Sequence, residues 1–270
     1  MRRRLRRAAA RATTFAAERA ARAGLRILTY HRVNDRHPAD RLSVHPREFA
    51  AQMERLAATC RVVPLGAALA ALRDGRAPGP GTVCLTFDDG YRDNHACALP
   101  VLERLALPAT FFIATAYTGT DQTIDRYRGC CAHDRMMGWD EVRELVARGH
   151  EVGGHGRRHL ELAGLGEAEA RDEIHGCRDD LASGAGVRPR VFCYPRGSED
   201  ARVRRAVAAA GFEAACTVEP GANAPGVDLF GLRRTEVSSA DDLADFALKI
   251  RGGFDGWHRL VQGARARSHA

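Results

Sequence analysis

Short apolar runs alternate with longer amphipathic stretches along most of the chain. Residues 25–30 are apolar and β-prone. From Pro46 onward, Phe49, Met53, Leu56 and Ala57 recur at helical spacing, and His45 is placed to cap that helix. Val62-Val63 reads as a short strand, residues 65–73 as an Ala/Leu helix, and 74–81 as a Gly/Pro linker. A strand at 83–87 ends in Asp88-Asp89-Gly90, and a helix at about 94–105 leads into a strand at 109–113. After an irregular polar stretch at 117–137, the pattern predicts helices at 140–147, 167–181, 200–210 and 241–250. Strands are predicted at 151–153, 191–194, 214–218 and near 230–234, with a turn-rich stretch at 219–227. Seven or so strands separated by helices imply an α/β chain with a mostly parallel sheet, open or closed into a barrel. There is no internal repeat. In such folds reactive groups gather where strands end, so the strand C-termini are where chemistry is expected.

Composition narrows the picture. With 270 residues, 45% of them hydrophobic, the chain has ample material for a core, and disorder throughout is excluded. The formal charge of +7 invites a nucleic-acid reading, but residues 1–22 carry eight arginines against the single acid Glu18. That segment holds the whole excess, and the remainder is balanced at 33 charges of each sign. The expected organisation is a basic leader at 1–22, one domain at 23–255 and a tail at 256–270. No nucleic-acid partner is expected of a neutral body. The leader's longest uncharged stretch is Ala12–Ala17, too short for the apolar region of a secretion signal. The longest charge-free run in the chain, 105–120, contains Pro108 and falls short of the roughly 20 residues a membrane span needs. These features imply a cytoplasmic protein, with weak electrostatic association of the leader with anionic membrane as its one lipid contact. The eight cysteines form no CxxC pair, so a zinc ribbon is not expected and reduced thiols are; the adjacent Cys130-Cys131 is a weak binding candidate.

Three predicted strand ends carry unusual polar residues: Asp88-Asp89 after 83–87, His155 and His159 after 151–153, and His31 after Tyr30. Two adjacent carboxylates ionise together at a cost unless a cation lies between them or one keeps a proton. Histidines at i and i+4 reach one metal if the backbone makes about one turn between them. Two histidines and one carboxylate leave coordination positions open, as in catalytic rather than structural metal sites. The second carboxylate is then free as a general base toward water. Alone, Asp-Asp-Gly is a common turn and HxxxH two solvated histidines; together at strand ends they are far more specific.

Thr86-Phe87-Asp88-Asp89-Gly90 resembles the first motif of the polysaccharide deacetylases (carbohydrate esterase family 4, the NodB-homology domain). His155-Gly156-Arg157-Arg158-His159, preceded by Gly153-Gly154, resembles the second. The resemblance covers roughly 25–250 and implies a single-domain distorted (β/α) barrel of about seven strands. It implies Asp88 as general base, and Asp89, His155 and His159 as ligands of one divalent ion, zinc first, with cobalt, nickel or iron also accepted. Three departures stand out. Gly156 replaces the usual Ser or Thr, Cys193 stands where the third motif carries an arginine two residues before Pro195, and the late Leu-x-His of the fifth motif is missing. Arg196 is the expected replacement cation, with Tyr194 and Pro195 beside it at the substrate. The missing histidine matches the permuted branch that resembles poly-N-acetylglucosamine deacetylases, in which a Tyr-His on an N-terminal strand serves instead. That makes His31, in Leu28-Thr29-Tyr30-His31, the implied general acid. Trp139 resembles the family's site-lining indole, although an aromatic closing a helix start fits it equally. The implied activity is metal-dependent removal of N-acetyl groups from an N-acetylhexosamine-containing glycan or glycoconjugate. Two alternatives are a catalytically silent carbohydrate-binding relative and an amidase of the same superfamily acting on a non-sugar amide.

Overall fold

Every residue of Arg26–Tyr30 (β1) and Thr82–Phe87 (β5) is buried, as befits parallel strands covered on both faces. In the computed structural model, which describes residues 24–37, 39–76, 78–124 and 135–255, the two pair along their length, from Arg26 opposite Val83 to Tyr30 opposite Phe87. The other strands are β2 (Arg32–Val33), β3 (Ser43–Val44), β4 (Arg61–Val62), β6 (Thr110–Ile113), β7 (Glu151–Gly154), β8 (Val191–Cys193), β9 (Ala214–Pro220) and β10 (Leu232–Glu236). In the order β1-β10-β9-β8-β7-β6-β5, seven of them close through the β1–β5 ladder, all parallel. The small strand β4 pairs with Thr82 and Val83, and β6 with Thr86 and Phe87, so both share one edge of β5. The chain is thus the single-domain (β/α) barrel that the motif resemblance implies. β2 and β3 make a separate two-stranded ribbon.

Period-two alternation sorts the strand residues into two cores. One cluster joins Ile27, Cys84, Phe112, Cys193, Cys216 and Leu232 with Leu65, Leu69 and Leu72 of a single helix, α2 (Leu65–Arg73). This is the barrel interior with its plug. The Gly66 N–H donates to both carboxylate oxygens of Glu151, the first residue of β7, at 3.1 and 3.0 Å, which fixes the plug at the N-terminal end of the strands. Leu28, Tyr30, Leu85, Phe87 and Phe111 face outward under helices that include α1 (Pro46–Thr59) and α4 (Trp139–Ala147). With one mouth filled by leucines, polar groups are left to the other.

Some expectations change. His45 caps α1 as predicted, its Nδ1 accepting the Arg47 N–H. Ala57, however, is exposed, and Gln52 is buried in its stead because the Tyr30 hydroxyl donates to Gln52 Oε1 at 2.8 Å. The segment at 94–105 is a π-helical turn, Asn94–Ala98, followed by α3 (Leu99–Arg104). Pro100 has no N–H to continue an α-helical ladder at that junction. The helix expected at 167–181 is likewise broken by a π turn, Asp172–Gly176, between α5 (Glu167–Arg171) and α6 (Cys177–Gly184). The leader at 1–22, Cys130-Cys131 and the tail at 256–270 lie outside the described residues. Among the described residues, no helix is long and apolar enough to cross a membrane.

Candidate active site

Strand register assembles the site. Tyr30 lies opposite Phe87, so the next residues, His31 and Asp88, emerge side by side at the open end of the barrel. The Asp88 N–H donates to the Tyr30 carbonyl at 2.9 Å, and His31 Nε2 stands 3.9 Å from Asp88 Oδ2. Asp89 takes a left-handed φ of 76°, which turns its carboxylate away from that of Asp88. His155 follows the last residue of β7. A carbonyl can only accept, so His155 Nδ1–H donates to Cys193 at 2.8 Å and leaves Nε2 as the ring's free lone pair. His155 Nε2 and His159 Nε2 approach the same atom, Asp89 Oδ1, at 3.2 and 3.3 Å.

That atom is buried and has no hydrogen-bond partner. Ligand bonds of about 2.0–2.2 Å in tetrahedral array put donor atoms roughly 3.3 Å apart. The three residues therefore fit a single divalent ion, and an orphaned carboxylate oxygen is what such an ion would satisfy. Burial pushes the Asp89 carboxyl up, but the adjacent imidazole of His155 and the charges of His159 and His31 outweigh it and hold it far below the usual range. Burial drives His159 down to about 4, and at His155 the acidic neighbours overcome burial and raise it.

The buried cation beside Asp88 is Arg234, on β10. Its guanidinium grips Asp88 through two contacts of 2.7 Å, Nη1 to Oδ1 and Nη2 to Oδ2, and its Nε donates to the Thr217 carbonyl at 2.9 Å. Burial raises the Asp88 carboxyl, the Arg234 charge and hydrogen bonds outweigh it, and the group stays below its ordinary range. Arg196 does not take this role. It pairs with Glu161 at 2.9 Å in an exposed ion pair, because its left-handed φ of 54° turns it to the outer rim. Cys193 lies beneath the pair, its thiol donating to Asp88 Oδ2 at 3.7 Å.

A cavity of about 620 Å³ opens over these groups. His31, Asp88, Asp89, His155, His159, Tyr194, Arg196 and Arg234 line it, with Leu42, Tyr91, Ile124 and Val218 as apolar wall. Three of the four non-glycine residues with positive φ among the described ones, Asp89, His159 and Arg196, belong to it. Pro195 is buried in the turn that follows Tyr194 and is not among the residues lining the cavity. Neither does Trp139. It begins α4, and its indole fills the space beside Gly184, where a Cβ would come within 2.5 Å of the ring. Of the two sequence readings for Trp139, the structure has the aromatic that closes a helix start. The sequence did carry a signal for Arg234: it sits two residues from the inward Leu232, and a charged side chain in an inward strand position needs a buried partner.

A charged, histidine-bearing mouth on a closed parallel barrel is a site of the (β/α)-barrel class. Within that class, residues 75–215 match the family model for polysaccharide deacetylase, and the chain belongs to that family. YxkH of Bacillus subtilis (strain 168), a protein named for the same family, is 28% identical over 218 residues, covering 80% of this chain and 72% of the relative. The chitooligosaccharide deacetylase of Bradyrhizobium sp. (strain ANU 289) is 33% identical over 103 residues, and the match spans only 37% of this chain and 38% of that protein. Among solved structures, IcaB from Ammonifex degensii superposes with a TM-score of 0.73 at 25% identity, over 86% of this chain and 97% of that one.

Proposed function

We propose that the chain is a hydrolase that removes N-acetyl groups from N-acetylhexosamine units of a glycan or glycoconjugate, with one divalent ion, zinc first, held by Asp89, His155 and His159. One observation carries this reading: two imidazole nitrogens converge on Asp89 Oδ1, three ligand atoms in all, beside a second carboxylate that Arg234 holds. A bound ion there would polarise the amide carbonyl and acidify water at its open positions.

The chain's own groups account for the rest. Asp88, ionised and oriented by Arg234, takes the proton of the attacking water. The N–H groups of Tyr194, Gly197 and Ser198 already donate to the carbonyls of Cys216, Tyr194 and Pro195. Pro195 has none, so the main-chain donor left for the developing oxyanion at this turn is Arg196 N–H. His31, beside Asp88 at the cavity mouth, donates a proton to the departing sugar nitrogen, since an unprotonated amine leaves poorly. Leu42, Tyr91, Ile124 and Tyr194 offer apolar surface to the acetyl methyl and the sugar face. Arg234, paired with Asp88, supports this reading over that of a catalytically silent binding relative.

Acetate release from chitooligosaccharides is the test. The metal-loaded protein releases acetate, chelation abolishes release, and zinc restores it. Asp88→Asn lowers the rate on the order of 10³-fold while retaining the metal. Undiminished release by that variant overturns the assignment of the base.

A further inference from the structure

We propose that Glu173 is a positioning residue for the metal ligands: it braces the loop from His155 to His159 and does the work that a hydroxyl side chain at position 156 would otherwise do. The proposal rests on His155 and His159 being ligands. Glu173 is fully buried, yet it does not face the cavity. Its Oε2 accepts the main-chain N–H groups of both Arg157 and Arg158, at 2.9 and 2.8 Å, and its Oε1 accepts Arg158 Nε at 2.6 Å. A Cβ added to Gly156 would meet that same Oε2 at 2.9 Å. The carboxylate therefore occupies the space a side chain at 156 would fill and satisfies the donors such a side chain would serve.

The loop carbonyls are held separately. Thr115 N–H donates to Gly156 O at 3.2 Å, Ala116 N–H to Arg157 O at 2.9 Å, and the Tyr117 hydroxyl to Arg158 O at 3.1 Å. Residues 115–117 thus fix the carbonyl side of the turn and Glu173 its N–H side. The turn ends at His159, whose φ of 57° a non-glycine residue keeps only when its surroundings determine it. Freeing the N–H side would let His159 leave that conformation and carry Nε2 away from Asp89. The π turn Asp172–Gly176 delivers the carboxylate, and Gly176 admits the close approach: a Cβ there would lie 2.5 Å from Arg157 Cδ. Arg157 fastens the other side to Asp180 at 2.9 Å.

Titration of the full-length apo-protein with Co²⁺, followed by its visible absorption, is the test. Glu173→Ala is expected to bind Co²⁺ at least about tenfold more weakly, the usual cost of losing a group that orients a ligand. Its absorption band is altered, and kcat falls with KM little changed. Glu173→Gln, which keeps one acceptor oxygen for the two N–H groups, recovers most of the affinity. A folded Glu173→Ala protein with wild-type Co²⁺ affinity and spectrum overturns the proposal, as does Glu173→Gln binding no better than Glu173→Ala. If the alanine variant does not fold, Glu173→Asp, which withdraws the carboxylate by one methylene, is read by the same criteria. Wild-type protein that binds no Co²⁺ overturns the ligand assignment and this proposal together, whereas a wild type that binds beside an indifferent Glu173→Ala overturns this proposal alone.

Discussion

Arg26 and Arg234 sit on neighbouring strands, both are buried, and each holds an aspartate through two contacts. Arg234 grips Asp88 at 2.7 Å twice, and Arg26 grips Asp255 at 3.1 and 2.8 Å. Alternation separates them: Arg234 points inward from β10, while the next residue, Thr235, accepts from Arg26 at 2.7 Å on the other face. Asp88 shares its surroundings with His31, His155 and a cavity, and Asp255 with none of these. Two charges taken out of water in good geometry roughly break even against apolar replacements, so neither pair needs to exist for stability. What distinguishes them is what the carboxylate faces once the arginine has fixed it. Asp88 faces the cavity.

The comparison breaks most sharply at Arg234. Arg234→Met should lower kcat by about 10²-fold or more, because the base loses both orientation and ionisation. The sign of the pH effect follows from the opposed influences on Asp88. Burial alone raises its carboxyl and Arg234 outweighs burial, so without the guanidinium the acid limb of the pH–rate profile moves to higher pH. Arg234→Lys, with charge but no fork, should fall between. An acid limb that stays in place in Arg234→Met would mean that Asp88 is not the titrating base.

Arg26→Met should do the reverse. It strands a carboxylate that is only 11% exposed, at a cost of about 3 kcal/mol in chemical denaturation, and leaves kcat per folded molecule within about twofold of wild type. A large loss of kcat without a loss of stability would show that the two pairs are not separable as described.

The half of the site that sequence reveals is the half that is local. Asp88-Asp89 and His155–His159 are contiguous motifs at strand ends, and a strand pattern suffices to bring His31 to the same mouth. Arg234 signals by its inward strand position only that it needs a buried partner; that partner lies 146 residues away and meets it only through the β5–β1–β10 register. Arg196 drew attention by its nearness to Pro195 in sequence, which says nothing about the direction of its side chain. Gln52 and Ala57 show the same gap in the core, where a hydroxyl from β1 decides which helix residue is buried. Gly156 reads as a lost hydroxyl until the carboxylate standing in its place comes from a helix 17 residues further on.

A third arginine–carboxylate cluster, at the surface, sets the lower limit of the comparison. Glu213 receives Arg190 at 2.8 Å and Arg73 at 2.6 Å, and their hydrogen bonds hold its carboxyl down to about 2, from an ordinary 4.5. With both arginines about half exposed, solvent screens most of that shift, so Glu213→Gln should cost under about 1 kcal/mol at pH 7. A depressed carboxyl stabilises the fold above its unfolded pKa and ceases to do so as pH falls through its folded one. The difference between wild type and Glu213→Gln should therefore be complete above about pH 4.5, shrink toward pH 2, and diminish in high salt. Denaturation midpoints across that range measure it. A difference that grew as pH fell would mean that the cluster stabilises the fold through packing, and that charge at this surface counts for less than the two buried pairs imply.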